Sequence, residues 1–138
     1  MTPAVINVEI SGSVPRLTRR EVATFARLVL RAVDAEPEEL SIAFVDDESM
    51  RELNRKFRRK NKTTDVLTFP GDGPLLGEIV ISVDQARRQA ADEKHSLATE
   101  VRYLVLHGIL HAMGYDHETD HGEMNALEVK VRAKVGLD

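Results

Sequence analysis

The chain has 138 residues, a net charge of −4 and no cysteine, so one domain over residues 1–138 can bury a core without covalent staples. Disulfides, thiolate metal ligands and thiol nucleophiles are excluded, which leaves histidine and carboxylate as metal donors. No stretch is apolar for long enough to span a bilayer, and Met1 to Ile10 lacks a basic-then-apolar leader, so a cytoplasmic protein with no membrane partner is expected.

In chain order, Val5, Ile6, Val8 and Ile10 predict a first strand, closed by Ser11-Gly12-Ser13 and Pro15. Thr18 then caps a helix, with Glu21 completing a Thr-x-x-Glu box; its apolar stripe is Val22, Phe25, Ala26, Val29, Leu30 and Val33, and Pro37 ends it. Leu40 to Val45 is a second strand. Asp46 to Ser49 supplies caps and early acids for a helix carrying Met50, Leu53 and Phe57. Val66 to Phe69 is a third strand, stopped by Pro70-Gly71-Asp72-Gly73-Pro74, and Glu78 to Ser82 is a fourth that pairs with it antiparallel.

A helix follows from Asp84 to about Lys94. Leu97 to Met113 is apolar around most of its circumference, which predicts a helix buried on nearly all sides. Leu127, Val131 and Val135 mark a last helix. Strands and helices in this order imply an α+β fold with a mixed four-stranded sheet, one strand antiparallel, flanked by helices.

Charge is unevenly spread. From Arg51 to Lys62 there are seven basic residues (Arg51, Arg55, Lys56, Arg58, Arg59, Lys60 and Lys62) against Glu52, a balance of +6 that leaves −10 on the rest of the chain. Such a segment is either a solvated helix face or a polyanion site, because phosphate contacts draw on local potential rather than net charge. As a polyanion site it nominates Arg55, Lys56, Arg59, Lys60 and Lys62 for binding a phosphate backbone, which in an RNA-binding protein would be that of the RNA.

Four of the five histidines lie between residues 107 and 121. His107 and His111 are one helical turn apart and can point at one ion. His117 would be on a different face, about 15 Å along the axis from His107, if the helix continued. Gly114 can end the helix in a left-handed conformation and turn His117 back to the ion. Three imidazoles with one open position form a catalytic zinc arrangement, one Zn²⁺ per chain, although imidazole also suits copper, iron and nickel. Asp116 is read either as an acceptor for a ligand's second N–H or as a turn carboxylate. His95 and His121 lack the spacing and are expected at the surface, His121 with a possible place behind His117. Met124 is expected in the core.

Zinc proteases of the His-Glu-x-x-His type take their general base from the residue after the first histidine, and that residue here is Gly108. Phosphodiester cleavage fits better, since a Lewis acid and a cation on the phosphate can carry much of the charge stabilisation.

The segment His107-Gly-x-Leu-His111-x-x-Gly114-Tyr-Asp-His117 resembles the signature of the YbeY family of bacterial rRNA-maturation endoribonucleases. Phe57-Arg58 followed by Thr64-Asp65-Val66-Leu67-Thr68-Phe69-Pro70, with threonine where the family usually has serine, and Leu76-Gly77-Glu78-Ile79 followed by Ile81-Ser82 are similar to two further family blocks. The resemblance implies a zincin-like sheet with the metal on the buried helix and the turn after it. It implies a zinc-dependent endoribonuclease selective for single-stranded RNA, acting in 16S rRNA 3′-end maturation and ribosome quality control. The partners implied are rRNA, the small ribosomal subunit and ribosome-assembly factors. By position, His107, His111 and His117 look like the zinc ligands and Arg58 like the family's functional arginine. A non-catalytic metal-containing assembly factor and a zinc hydrolase of peptide or amide bonds are the alternatives.

Overall fold

The computed structural model describes residues 4–10, 17–116 and 119–137. Its elements are β1 (Val5–Ile10), α1 (Arg19–Ala32), β2 (Glu39–Val45), α2 (Asp47–Arg58), β3 (Val66–Pro70), β4 (Leu75–Ser82), α3 (Val83–Glu93), α4 (Leu97–Ala112) and α5 (Glu123–Val135). The strands form one mixed sheet in the order β1-β2-β4-β3. β1 and β4 both run parallel to β2, and β3 pairs antiparallel with β4, in register from Val66 opposite Ile81 to Pro70 opposite Gly77.

Two-residue periodicity divides the sheet between two cores. Leu40, Ile42 and Phe44 of β2 with Ile79 and Ile81 of β4 face α1 and α4 in the main core. Ala43 and Val45 with Val80 and Leu67 face the opposite way and are covered by Met50 and Leu53 of α2. Both faces are therefore helix-covered, as the mixed pattern of buried strands requires. No helix among the described residues is long and apolar enough to cross a membrane.

Side-chain caps start α1, α2 and α3 where expected or close to it. Thr18 Oγ1 accepts from Glu21 N, and Asp46 Oδ1 accepts from Ser49 N at 2.8 Å. α3 begins one residue before Asp84, because Ser82 at the end of β4 is its cap and accepts from Gln85 N. α1 stops before Pro37: Asp34 turns left-handed at φ 55°, and the N–H groups of Asp34 and Ala35 return to the carbonyls of Arg31 and Leu30.

Pro70 belongs to β3 instead of stopping it. Gly71 N donates to Leu76 O, so the nitrogen of Pro70 points away from β4 at the outer edge of the sheet, where no ladder N–H is needed. The hairpin connection shortens to residues 71–74 and β4 begins at Leu75, not at Glu78. The predicted Ser11-Gly12-Ser13 and Pro15 connection lies outside the described residues.

Candidate functional site

α4 carries the site at its C-terminal end. Val101, Leu104, Val105, Leu106, Ile109 and Leu110 are buried, which anchors the helix against the sheet and leaves His107 and His111 partly exposed toward β3. Close approach is built into the sequence: a Cβ on Gly108 would meet Ile79 Cγ2 at 2.6 Å, well inside van der Waals contact. A side chain at this position would have to displace Ile79, so glycine is what lets α4 lie this close to β4.

The helix ends as the glycine predicts. Gly114 has φ 100°, its N–H donates to His111 O at 2.9 Å, and Tyr115 N donates to Leu110 O at 3.1 Å. These paired bonds satisfy the last carbonyls of α4 and reverse the chain immediately after the histidines.

The two histidines meet. Their Nε2 atoms are 3.0 Å apart, with ring planes inclined at 74°. On the outer side of His107, Nδ1 lies 3.5 Å from Glu128 Oε1 of α5. The negative charge of that carboxylate favours a proton on Nδ1 over one on Nε2, the nitrogen that faces His111. Two ligands about 2.0–2.1 Å from a tetrahedral ion stand roughly 3.3 Å apart, so the pair has nearly the separation of two zinc donors. A divalent cation fits this donor pair. Among the described residues no group of three His, Cys, Asp or Glu side chains converges as a metal site. His117, the third expected ligand, lies outside the described residues.

The histidines open on a cleft of about 560 Å³ lined by Arg58, Thr64, Asp65, Val66, Thr68, Pro70, His107, His111, Gly114, Tyr115 and Asp116. Strand alternation explains one wall: Val66, Thr68 and Pro70 of β3 face the cleft, while Leu67 and Phe69 face α2. Arg58, the last residue of α2, reaches the cleft from beyond the sheet edge.

Asp65 is positioned by its own strand, since Oδ1 accepts from Val66 N at 2.8 Å and its carbonyl accepts from Ser82 N at 2.9 Å. Asp116 lines the cleft, and its carbonyl accepts from the N–H groups of Thr119 and Asp120. A carboxylate contact from Asp116 to His117 falls outside the described residues.

The rest of the basic run is distributed elsewhere. Arg55 pairs with Glu52, Lys56 sits over the ring of Phe57 at 5.3 Å, and Arg59 is the left-handed cap of α2 at φ 57°. Lys60 N returns to Asn54 O, and Lys62 lines a separate recess with Asp47, Glu48, Arg51, Asn61 and Thr63. Of the basic run, Arg58 alone lines the histidine cleft.

His95 corrects an expectation. It is a half-buried residue whose Nε2 lies 2.6 Å from Oε1 of the buried Glu100, with its ring stacked on Tyr103. Helix start and cap, not the histidine itself, decide this: Ser96 opens α4 and places Glu100 one turn in, beside the preceding loop. His121 is exposed and Met124 is in the main core, both as expected. Glu128 was not foreseen, because nothing in local spacing links α5 to α4.

A helix bearing two converging imidazoles beside an arginine-lined cleft, on a mixed four-stranded α+β sheet, defines the class of protein. The family model for Endoribonuclease YbeY matches residues 8–136. The chain is 44% identical over 121 residues to Endoribonuclease YbeY of Solibacter usitatus, covering 88% of this chain and 82% of the relative. It is 49% identical over 102 residues to that of Nautilia profundicola, covering 72% and 73%. The solution structure of TM1509 from Thermotoga maritima superposes with a TM-score of 0.65 at 26% identity, covering 95% of this chain and 89% of that one. The chain belongs to the YbeY family.

Proposed function

We propose that this chain is a zinc-dependent endoribonuclease that cuts single-stranded RNA, with one zinc held by His107, His111 and His117. The relatives are named endoribonucleases, which supports RNA phosphodiester hydrolysis as the reaction. The observation that carries the zinc reading is the 3.0 Å separation of the His107 and His111 Nε2 atoms at the wall of the cleft that Arg58 also lines. We assign the enzyme to the cytoplasm, to 16S rRNA 3′-end maturation and to ribosome quality control, with the small ribosomal subunit and its assembly factors as partners. A zincin-like description of the sheet, with the metal on α4 and the turn after it, belongs to the same reading.

When bound, zinc supplies a Lewis acid and lowers the pKa of a water beside the scissile phosphate. Arg58 binds the phosphate oxygens through its guanidinium fork and offsets the charge that grows on them as the P–O bond breaks. Glu128 holds His107 in the tautomer that presents Nε2. Gly108 stands where His-Glu-x-x-His proteases carry their glutamate base, and its lack of a carboxylate favours the phosphodiester over the peptide bond.

Metal analysis and cleavage of single-stranded and duplex RNA, on one preparation, test the reading. The unsubstituted protein is expected to hold about one zinc per chain and to cut the single strand preferentially. His111→Ala is expected to lose both metal and cleavage; continued cleavage by zinc-depleted His111→Ala protein would sink it.

A further inference from the structure

Phe57 breaks the burial pattern of the phenylalanines. Phe25 and Phe44 are buried and Phe69 is half-buried, whereas Phe57 is 55% exposed. Its ring is nevertheless held: Phe69 meets it edge to face, with centroids 5.2 Å apart and planes at 71°. A ring fixed by an aromatic neighbour and still open to solvent has little orientational freedom to lose on binding.

Its surroundings are cationic and adjacent to the cleft. Lys56 Nζ stands 5.3 Å from the ring centroid, and Arg58, the next residue, lines the cleft. Phe69 lies on β3 between Thr68 and Pro70, which both line the cleft, so the aromatic pair sits across the sheet edge from the histidines. Cations that track a phosphate backbone beside a solvent-exposed aromatic ring are the two parts of a single-strand binding site, and stacking needs a base that is not paired; the Lys56 ammonium over the ring is on a flexible stem and swings aside to a phosphate when a base stacks.

From these relations we infer that Phe57 is a stacking platform for an unpaired nucleobase, engaged as the RNA strand leaves the cleft over the edge of β3. This rests on the endoribonuclease reading and adds a physical source for single-strand selectivity. Arg58 contacts the phosphate on the cleft side, Lys56 a phosphate on the outer side, and Phe57 the base between them.

The chain has no tryptophan, so Phe57→Trp introduces a single tryptophan at the platform, which can be excited at wavelengths that the two tyrosines do not absorb. Short oligoadenylate is expected to quench its emission saturably, while a strand of equal length with abasic riboses, and duplex RNA, leave it nearly unchanged. Phe57→Leu, which keeps an apolar contact for Phe69, is expected to weaken oligoadenylate binding about ten-fold and to leave binding of the abasic strand as it was. Lys56→Gln should weaken both strands alike. Equal quenching by the abasic strand, or unchanged oligoadenylate binding by Phe57→Leu, overturns the platform and leaves the ring as a contact for another protein. If the unsubstituted chain cleaves RNA in that case, the endoribonuclease reading survives alone. If the unsubstituted chain neither binds nor cleaves RNA, both fall.

Discussion

Glu128 on α5 stands 3.5 Å from Nδ1 of His107 on α4, on the side of the ring opposite His111. In the proposed zinc site this carboxylate draws the proton of the imidazole to Nδ1 and leaves Nε2 as the metal ligand, so α5 contributes to the site without facing the cleft. A glutamine side chain at this position retains a hydrogen-bond acceptor and removes the charge. Glu128→Gln is expected to weaken zinc binding by about ten-fold, and Glu128→Ala by up to about a hundred-fold. Competition against a fluorescent chelator measures both; zinc affinity unchanged in the alanine variant would remove Glu128 from the site.

Gly108 sets the spacing of α4 on β4. An alanine there must push its Cβ into Ile79, with contacts of 2.6 Å to Cγ2 and 3.0 Å to Cδ1. Gly108→Ala is expected to cost about 1–3 kcal/mol by overpacking, despite alanine's better helix propensity. Ile79→Val combined with Gly108→Ala should recover part of that loss, because it removes the Cδ1 contact. Urea unfolding of the two variants and the unsubstituted protein checks the order.

Asp47 ties three segments together. Its Oδ1 accepts from Thr63 Oγ1 and Ser82 Oγ, and its Oδ2 accepts from Arg88 Nη2 at 2.7 Å. Burial alone would raise its pKa, but the hydrogen bonds from Arg88, Ser82 and Thr63 and the positive charge of Arg88 outweigh this, and the carboxyl sits below the ordinary aspartate value of 3.8. A folded pKa below the unfolded one gives stability that is fully present above the unfolded value and lost as pH falls through the folded one.

Asp47→Asn imitates the protonated acid at every pH. With 34% of the side chain exposed, solvent screening reduces its effect. We expect a destabilisation on the order of 1 kcal/mol at pH above about 5, shrinking toward zero as pH drops below 3.8. Denaturant midpoints at neutral and acid pH test the convergence of the two proteins; a constant gap would show that the charge on Asp47 is not what stabilises the junction.

Arg58 is the cation of the basic run that lines the histidine cleft. Arg58→Ala is expected to lower kcat on single-stranded RNA by about 10²–10³, with zinc content unchanged. Arg58→Lys should recover only part of the activity, because an ammonium cannot make the paired hydrogen bonds of a guanidinium. Single-turnover cleavage with metal analysis on the same samples distinguishes lost chemistry from lost metal.

Local periodicity was enough for much of this protein. Four strands, the caps at Thr18 and Asp46, the antiparallel pairing of β3 with β4, and the termination of α4 at Gly114 depend on neighbours a few residues apart, whose conformational preferences are written in the residues themselves. The pairing of His107 with His111 belongs here too, since one turn of helix places the rings together. Tertiary structure decided what local preference cannot reach. Pro70 remains in a strand because that strand is at the sheet edge with its nitrogen outward, a fact of strand order. Arg58 lines the same cleft as the histidines, while Arg55, Lys56, Arg59, Lys60 and Lys62 do not, and which member of a charge run faces a cleft depends on how α2 is docked on the sheet. Glu128 reaches His107 only because α5 packs on α4, and burial of an apolar face fixes where a helix lies without revealing which polar residue it will deliver to a distant ring.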